Sequence, residues 1–186
     1  MCNLLFISNL IKEKGVFDLL DACVIMHSSR VQFRCDFVGA YTDIAESFIQ
    51  NYLESNDLKK VVYFHGVKTG NDKILFLQNA DVFVFPTFYK NECFPLVLLE
   101  AMQYSLPVVT TDEGGIRDMV TDGENGWIVE KNNPVILADK LTKLIQSPEL
   151  RHSFGASGYR KFISSFTLDH FELRFSNIIH RIIQSI

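Results

Sequence analysis

The chain has 186 residues, 47% of them hydrophobic and 12% aromatic, with sixteen Phe and an ordinary 22% of charged side chains. That length fits one domain with a sizeable core, and the composition excludes a disordered chain. A net charge of −4 with no dominant basic stretch excludes a nucleic-acid partner held by phosphate neutralisation, and points to a small-molecule ligand.

Asn3 to Ile7 is an apolar run that predicts a buried strand, followed by a polar turn ending in Lys14 and Gly15. Val16, Leu19, Leu20, Cys23 and Met26 recur at helical spacing, so a helix with one apolar face follows. Val31 to Val38 predicts a second strand, closed by Gly39. Ile44, Phe48 and Tyr52 mark an amphipathic helix, then Val61 to Phe64 a short strand and His65-Gly66 a turn. A short helix is expected over Ile74 to Ala80. Asp81 to Phe85 predicts a fully covered strand stopped by Pro86, which has no N–H to give a ladder. Pro95 to Gln103 reads as a helix, Pro107 to Thr110 as a strand, and Gly126 to Val129 as a last short strand after the turn-rich TDGENG.

Two helix starts follow: Asn132 or Asn133 can cap a helix with Pro134 at its first position, and Ser147 with Pro148 repeats the signal. After Thr167, a stripe of Leu168, Phe171, Phe175, Ile178, Ile182 and Ile186 is more apolar surface than a small domain's last helix needs, and it calls for a partner. Apolar strands alternating with amphipathic helices predict an α/β fold, a doubly wound, Rossmann-like parallel sheet of about six strands with C-terminal helices. No repeat or low-complexity linker interrupts residues 1–186, which read as a single domain.

Cys2, Cys23, Cys35 and Cys93 show neither CxxC spacing nor companion histidines, so no zinc site and no disulfide framework is expected. Reduced thiols fit a cytoplasmic protein. No apolar run approaches the roughly 20 residues of a membrane span, and the N-terminus has no basic segment leading an uncharged apolar one.

In open parallel sheets ligands bind where strands end and loops lead into helix N-termini. Four loops qualify: Ser8 to Gly15, Gly39 to Asp43, His65 to Asn71, and Pro86 to Leu96. The last contains NECFPLVLLEAM, with Glu92 in the loop and Glu100 within the helix, seven residues between them. A carboxylate in an apolar helix needs donors. A ribose diol offers two, while the amides near Phe94 to Val97 face an anion such as a diphosphate. Pairing of Glu100 with a Lys or Arg is the competing reading.

These residues, continuing as EAMQYSLPVVTTDEGGIRDMVTDGENGWIV, resemble the donor-binding domain of glycosyltransferase family 4, of the GT-B type. LLFISNLIKEKGVFDLLDA is similar to that family's first strand and loop, and VVYFHGV and NADVFVFP to its middle strands, in the family's order from Leu4 to Ile128. The resemblance implies retaining transfer of a sugar from a nucleoside diphosphate sugar, with no metal or other cofactor, at a cleft between two Rossmann-like domains. It implies the glycan or lipid-linked acceptor held by an N-terminal domain outside this sequence, on which the 167–186 helix docks, and it leaves room for peripheral membrane association.

Carried over, Lys14 neutralises the diphosphate and Glu92 holds the donor sugar, the two catalytic positions. Glu100 holds the ribose, Cys93, Phe94, Pro95 and Leu96 present backbone to phosphate or sugar, and the turn of His65, Gly66 and Val67 lies beside the base. The chain has Ser8 and Asn9 where the family has Gly-Arg, so Asn9 offers a neutral donor and Lys12 is the nearest substitute cation. Cys93 stands where the family has Gly, which would crowd the donor if that backbone needed a positive φ. Gly114 and Gly115 read as a tight loop. His27, His152, His170 and His180 carry no partner pattern. A non-catalytic nucleotide-sugar-binding module, and a GT-B epimerase or phosphorylase, stay open as alternatives.

Overall fold

The computed structural model describes residues 1–184. Its six strands are β1 (Cys2–Ile7), β2 (Phe33–Val38), β3 (Val62–Phe64), β4 (Val82–Phe85), β5 (Val108–Thr111) and β6 (Gly126–Val129). They form one sheet in the order β3-β2-β1-β4-β5-β6 with every pairing parallel. The helices are α1 (Val16–Ser28), α2 (Glu46–Ser55), α3 (Gly70–Asn79), α4 (Leu96–Gln103), α5 (Ile116–Met119), α6 (Pro134–Gln146), α7 (Pro148–Ser165) and α8 (Leu168–Gln184). This is the doubly wound α/β sheet expected, because strands buried on both faces can be connected in parallel only by helices that return over a face.

The core is where the apolar pattern put it. Leu4, Phe6, Leu19, Leu20, Phe37, Phe83, Val84, Val108 and Leu141 are fully or almost fully buried. Helix α1 packs on α6, and α4 on α7. The Phe17 ring meets Phe48 edge-on at 5.6 Å, which seats α2 beside α1.

Boundaries shift where local chemistry overrides the pattern. β2 begins at Phe33 rather than Val31, because Arg30 turns left-handed (φ 60°) and Val31 N–H closes back on the Met26 carbonyl. α3 starts at Gly70 rather than Ile74, its first turn being polar and exposed, with no apolar period to mark it. Pro95 is the N-cap of α4 rather than its first turn, and Asp81 precedes β4. Asn133, not Asn132, caps α6 by accepting from Ile136 N–H at 3.1 Å, and Ser147 caps α7 through Leu150 N–H. Helix α8 buries none of its residues, and its stripe of Phe171, Phe175, Ile178 and Ile182 is more than half exposed. Ile186, the last position of the expected stripe, lies outside the described residues.

Candidate functional site

The strand order locates the site. The chain winds from β1 through β2 to β3 in one direction and from β4 through β5 to β6 in the other, so the loops after β1 and β4 part company at a crevice beyond the strand ends. Lys14 comes from the first loop and Glu92 from the second.

Backbone chemistry makes the two loops touch. A short 3-10 turn, Lys12–Lys14, ends at Gly15 with φ 80°, and a Cβ there would stand 2.1 Å from the Pro86 carbonyl oxygen. Only glycine allows that approach. The Glu13 carbonyl then accepts from Phe88 N–H at 2.8 Å. Lys14 Nζ is thereby delivered 2.5 Å from Glu92 Oε2, with the side chains 13% and 10% exposed. The ammonium also lies 4.4 Å from the Tyr89 ring centroid, a contact that favours a cation short of water.

The Glu92 loop rests on the glycine pair. Gly114 has φ 50°, a Cβ on it would fall 1.8 Å from the Glu92 carbonyl oxygen, and Gly115 N–H donates to the Cys93 carbonyl at 2.7 Å. Gly114 and Gly115 are therefore more than a tight loop: they support the backbone that carries Glu92. Cys93 is not in the left-handed region, so its side chain costs no backbone strain where a glycine was expected. It is exposed, with Sγ 3.7 Å from the Asn91 carbonyl oxygen.

Helix α4 starts beside this loop, with Pro95 as N-cap and no side chain capping it. Leu98 N–H closes on the Pro95 carbonyl at 3.0 Å, and the first turn carries the positive end of the helix dipole. Pro95 itself is buried, and Leu96 is exposed. One turn further, Glu100 meets Lys73 from the first turn of α3. Lys73 Nζ donates to Oε1 at 2.7 Å and lies 2.6 Å from Oε2, yet Oε2 is buried and accepts no hydrogen bond. The cationic partner weighed for Glu100 is therefore present and touches both oxygens, Oε2 as a close ion pair without hydrogen-bond geometry.

The turn after β3 is pinned from below. The His65 ring folds under the turn against Phe76, centroids 4.6 Å apart, with Nε2 2.7 Å from Asp36 Oδ1. Asp36 is 8% exposed on β2, and Arg34 donates to both its oxygens at 2.9–3.1 Å while stacking on Tyr63. Those bonds push the Arg34 guanidinium pKa above its ordinary value. Gly66 turns at φ 65° with open space above it, its carbonyl accepts from Gly39 N–H at 2.9 Å, and Val67 is exposed. Asn9 and Lys12 are both exposed on the β1 loop, and Lys12 N–H bonds the Asp43 carboxylate at 3.1 Å.

Two concavities flank these groups. One of about 660 Å³ runs between α3 and the β1–β2 face, past Arg34, Asp36, His65 and Lys68. The other, about 880 Å³ and mostly apolar, lies between α8 and the start of α4, where Phe94 and Leu96 face Phe166, Phe171 and Phe175. Neither includes Lys14, Glu92 or Glu100. Among the described residues no three His, Cys, Asp or Glu side chains are grouped to hold a metal ion, and no helix is long and apolar enough to cross a membrane.

Sequence reasoning missed Asp36 and Lys73. Asp36 could have been flagged as a carboxylate within an otherwise apolar strand, whereas Lys73 has no signal beyond its place on a helix start.

An open parallel sheet in this strand order, with Lys–Glu ion pairs joining the loops and helix at and beside its switch point, defines a Rossmann-like α/β protein. The model of the family described as glycosyl transferases group 1 matches residues 3–161, and the chain belongs to that family. The capsular polysaccharide biosynthesis glycosyltransferase CapM of Staphylococcus aureus is 32% identical over 162 residues, which is 87% of this chain and 41% of CapM. The chain thus spans less than half the length of such curated relatives. Among solved structures, the C-terminal domain of the group 1 family protein LpcC from Francisella tularensis superposes with a TM-score of 0.79 at 23% identity, covering 90% of this chain and 87% of that one. Anabaena Alr3699/HepE in complex with UDP gives 0.82 at 19%, covering 99% and 49%. These likenesses show a shared fold.

Proposed function

We propose that this chain is the donor-binding domain of a retaining, GT-B glycosyltransferase of family 4, serving polysaccharide or glycoconjugate biosynthesis. The observation that carries the reading is the meeting of Lys14 and Glu92 at the sheet's switch point, beside the α4 N-terminus and Glu100. A nucleoside diphosphate sugar would exchange partners there. Its diphosphate takes the Lys14 ammonium and the N–H groups of Cys93, Phe94 and Leu96, the sugar hydroxyls take Glu92, and the ribose diol supplies donors to Glu100 beside its Lys73 partner. The Lys73–Glu100 pair links the start of α3 to α4, and the His65–Val67 turn, which leads into α3, is the part of the chain assigned to the base.

A lysine with a helix N-terminus neutralises a diphosphate without a metal. Departure of that diphosphate is the hard step, and the same groups stabilise its growing charge. The acceptor hydroxyl, held by an N-terminal domain, bonds the anomeric carbon from the face the diphosphate leaves and gives its proton to the departing diphosphate oxygen, which retains the anomeric configuration. The exposed α8 stripe docks on that domain. UDP on a protein of the same fold, and the C-terminal placement of the LpcC domain, support the reading.

The test is calorimetric titration of UDP and GDP with and without EDTA, on the chain and on Glu100→Gln, then a labelled-donor transfer assay. Binding should survive EDTA, fall about tenfold in Glu100→Gln as one charged hydrogen-bonding partner is lost, and give no transfer without the acceptor domain. Binding abolished by EDTA, or left unchanged in Glu100→Gln, would sink the assignment.

A further inference from the structure

We propose that Asp36 is a positioning residue for base recognition: through His65 it holds the Gly66–Val67 turn at the height where a nucleobase meets it. The inference rests on the donor-site reading above and extends it to a residue outside the loops, on the face of a central strand.

A carboxylate on a buried strand is costly unless its lone pairs are filled. Asp36 fills them with Arg34, which donates to both oxygens, and with His65 Nε2 at 2.7 Å. A carboxylate held by a guanidinium is an acceptor, so Nε2 carries the proton and the imidazole tautomer is fixed. The His65 ring is further clamped by Phe76, and its own backbone N–H is bound to the Phe37 carbonyl at 2.9 Å. Side chain and main chain of His65 are thus both anchored to β2 or to elements packed on it.

The consequence falls on the next two residues. Gly66 is left-handed with nothing above it, and Val67 is 63% exposed, so the turn offers its backbone and one methyl face outward. Such a turn can read a base edge only if its height and tilt are held, because the backbone around a glycine is otherwise free to move. Gly39 N–H holds the Gly66 carbonyl at 2.9 Å, and the Asp36–His65 contact, on the wall of the cavity of about 660 Å³, is the side-chain strut that fixes the residue before it. His65 is a half-buried tether and not a catalytic base.

The experiment compares the full chain with Asp36→Asn, His65→Phe and His65→Gln, titrating UDP, GDP and inorganic pyrophosphate. Pyrophosphate fills the phosphate subsite alone and is blind to the turn. Asp36→Asn and His65→Phe should weaken the tighter-binding nucleotide about tenfold, the scale of one or two lost hydrogen bonds, with pyrophosphate affinity unchanged. His65→Gln, whose amide restores a donor near the Nε2 position, should recover most of the loss. Nitrogen-15 spectra of wild-type His65 should show the Nε2-protonated form. Equal nucleotide affinity in all chains, a parallel loss for pyrophosphate, or the Nδ1-protonated tautomer would overturn the inference alone. A wild-type chain that binds pyrophosphate but neither nucleotide would overturn the donor-site reading and this inference with it.

Discussion

Lys14 and Glu92 lie 78 positions apart in the chain and 2.5 Å apart in the fold, their side chains 13% and 10% exposed. Removing one member of so enclosed a pair strands the other charge, whereas removing both leaves a neutral crevice. Lys14→Met should therefore cost about 1–3 kcal/mol of stability, and Lys14→Met with Glu92→Gln less than the sum of the single changes. Chemical denaturation of the four chains measures this coupling. Strict additivity would mean that the contact has no energetic consequence. Nucleotide affinity should fall in every chain that lacks Lys14.

The support beneath Glu92 can be tested by adding one carbon. Gly114→Ala needs a left-handed alanine, which costs roughly 1–2 kcal/mol, and places Cβ 1.8 Å from the Glu92 carbonyl oxygen, so the loop must move. Gly123 is also left-handed, at φ 79°, but has open space around it. Both alanine variants should lose stability in thermal unfolding. Only Gly114→Ala should also lose affinity for a nucleotide sugar, and an equal effect in both would detach the glycine pair from the site.

That comparison also shows what a sequence can and cannot convey. The parallel sheet was legible because burial on both faces forces continuous apolar runs such as Val82–Phe85, and Glu92 and Glu100 stood out as carboxylates beside or within such runs. Gly114 was legible as a turn but not as a support, because its partner is a backbone oxygen far along the chain. Lys73 was invisible for the same reason: an amphipathic helix fixes which face is polar, not which charge across the groove that face will meet. The start of α3 was lost because its first turn is polar throughout.

Thiol chemistry gives a probe of the α4 start. Cys2, Cys23 and Cys35 are buried, whereas Cys93 is exposed. Burial pushes the Cys2 thiol up to about 11 and the Cys35 thiol upward as well, so at pH 8 neither holds much of the thiolate that reacts. One thiol in four should react promptly with a chromogenic disulfide in the native chain, and all four after denaturation. Saturating UDP or GDP should slow the prompt reaction severalfold, because the N–H groups of Cys93, Phe94 and Leu96 are assigned to the phosphates. Undiminished labelling in the presence of bound nucleotide would place the ligand elsewhere.

The terminal helix predicts behaviour of the chain as a whole. Helix α8 buries no residue, yet Phe171, Phe175 and Ile178 present a continuous apolar stripe, 63%, 56% and 55% exposed, with the two rings stacked 6.0 Å apart. Apolar surface of that kind is covered when a partner is present and seeks another copy when it is not. At high concentration the chain should self-associate in light scattering. Phe171→Glu with Phe175→Glu should return it to a monomer, because two charges on the stripe must be desolvated in any packed interface. The double variant should keep the unfolding temperature measured under dilute conditions, since the helix contributes nothing to the buried core. A wild-type chain that stays monomeric at high concentration would show that the stripe does not drive association, and loss of thermal stability in the double variant would show that α8 packs on its own domain.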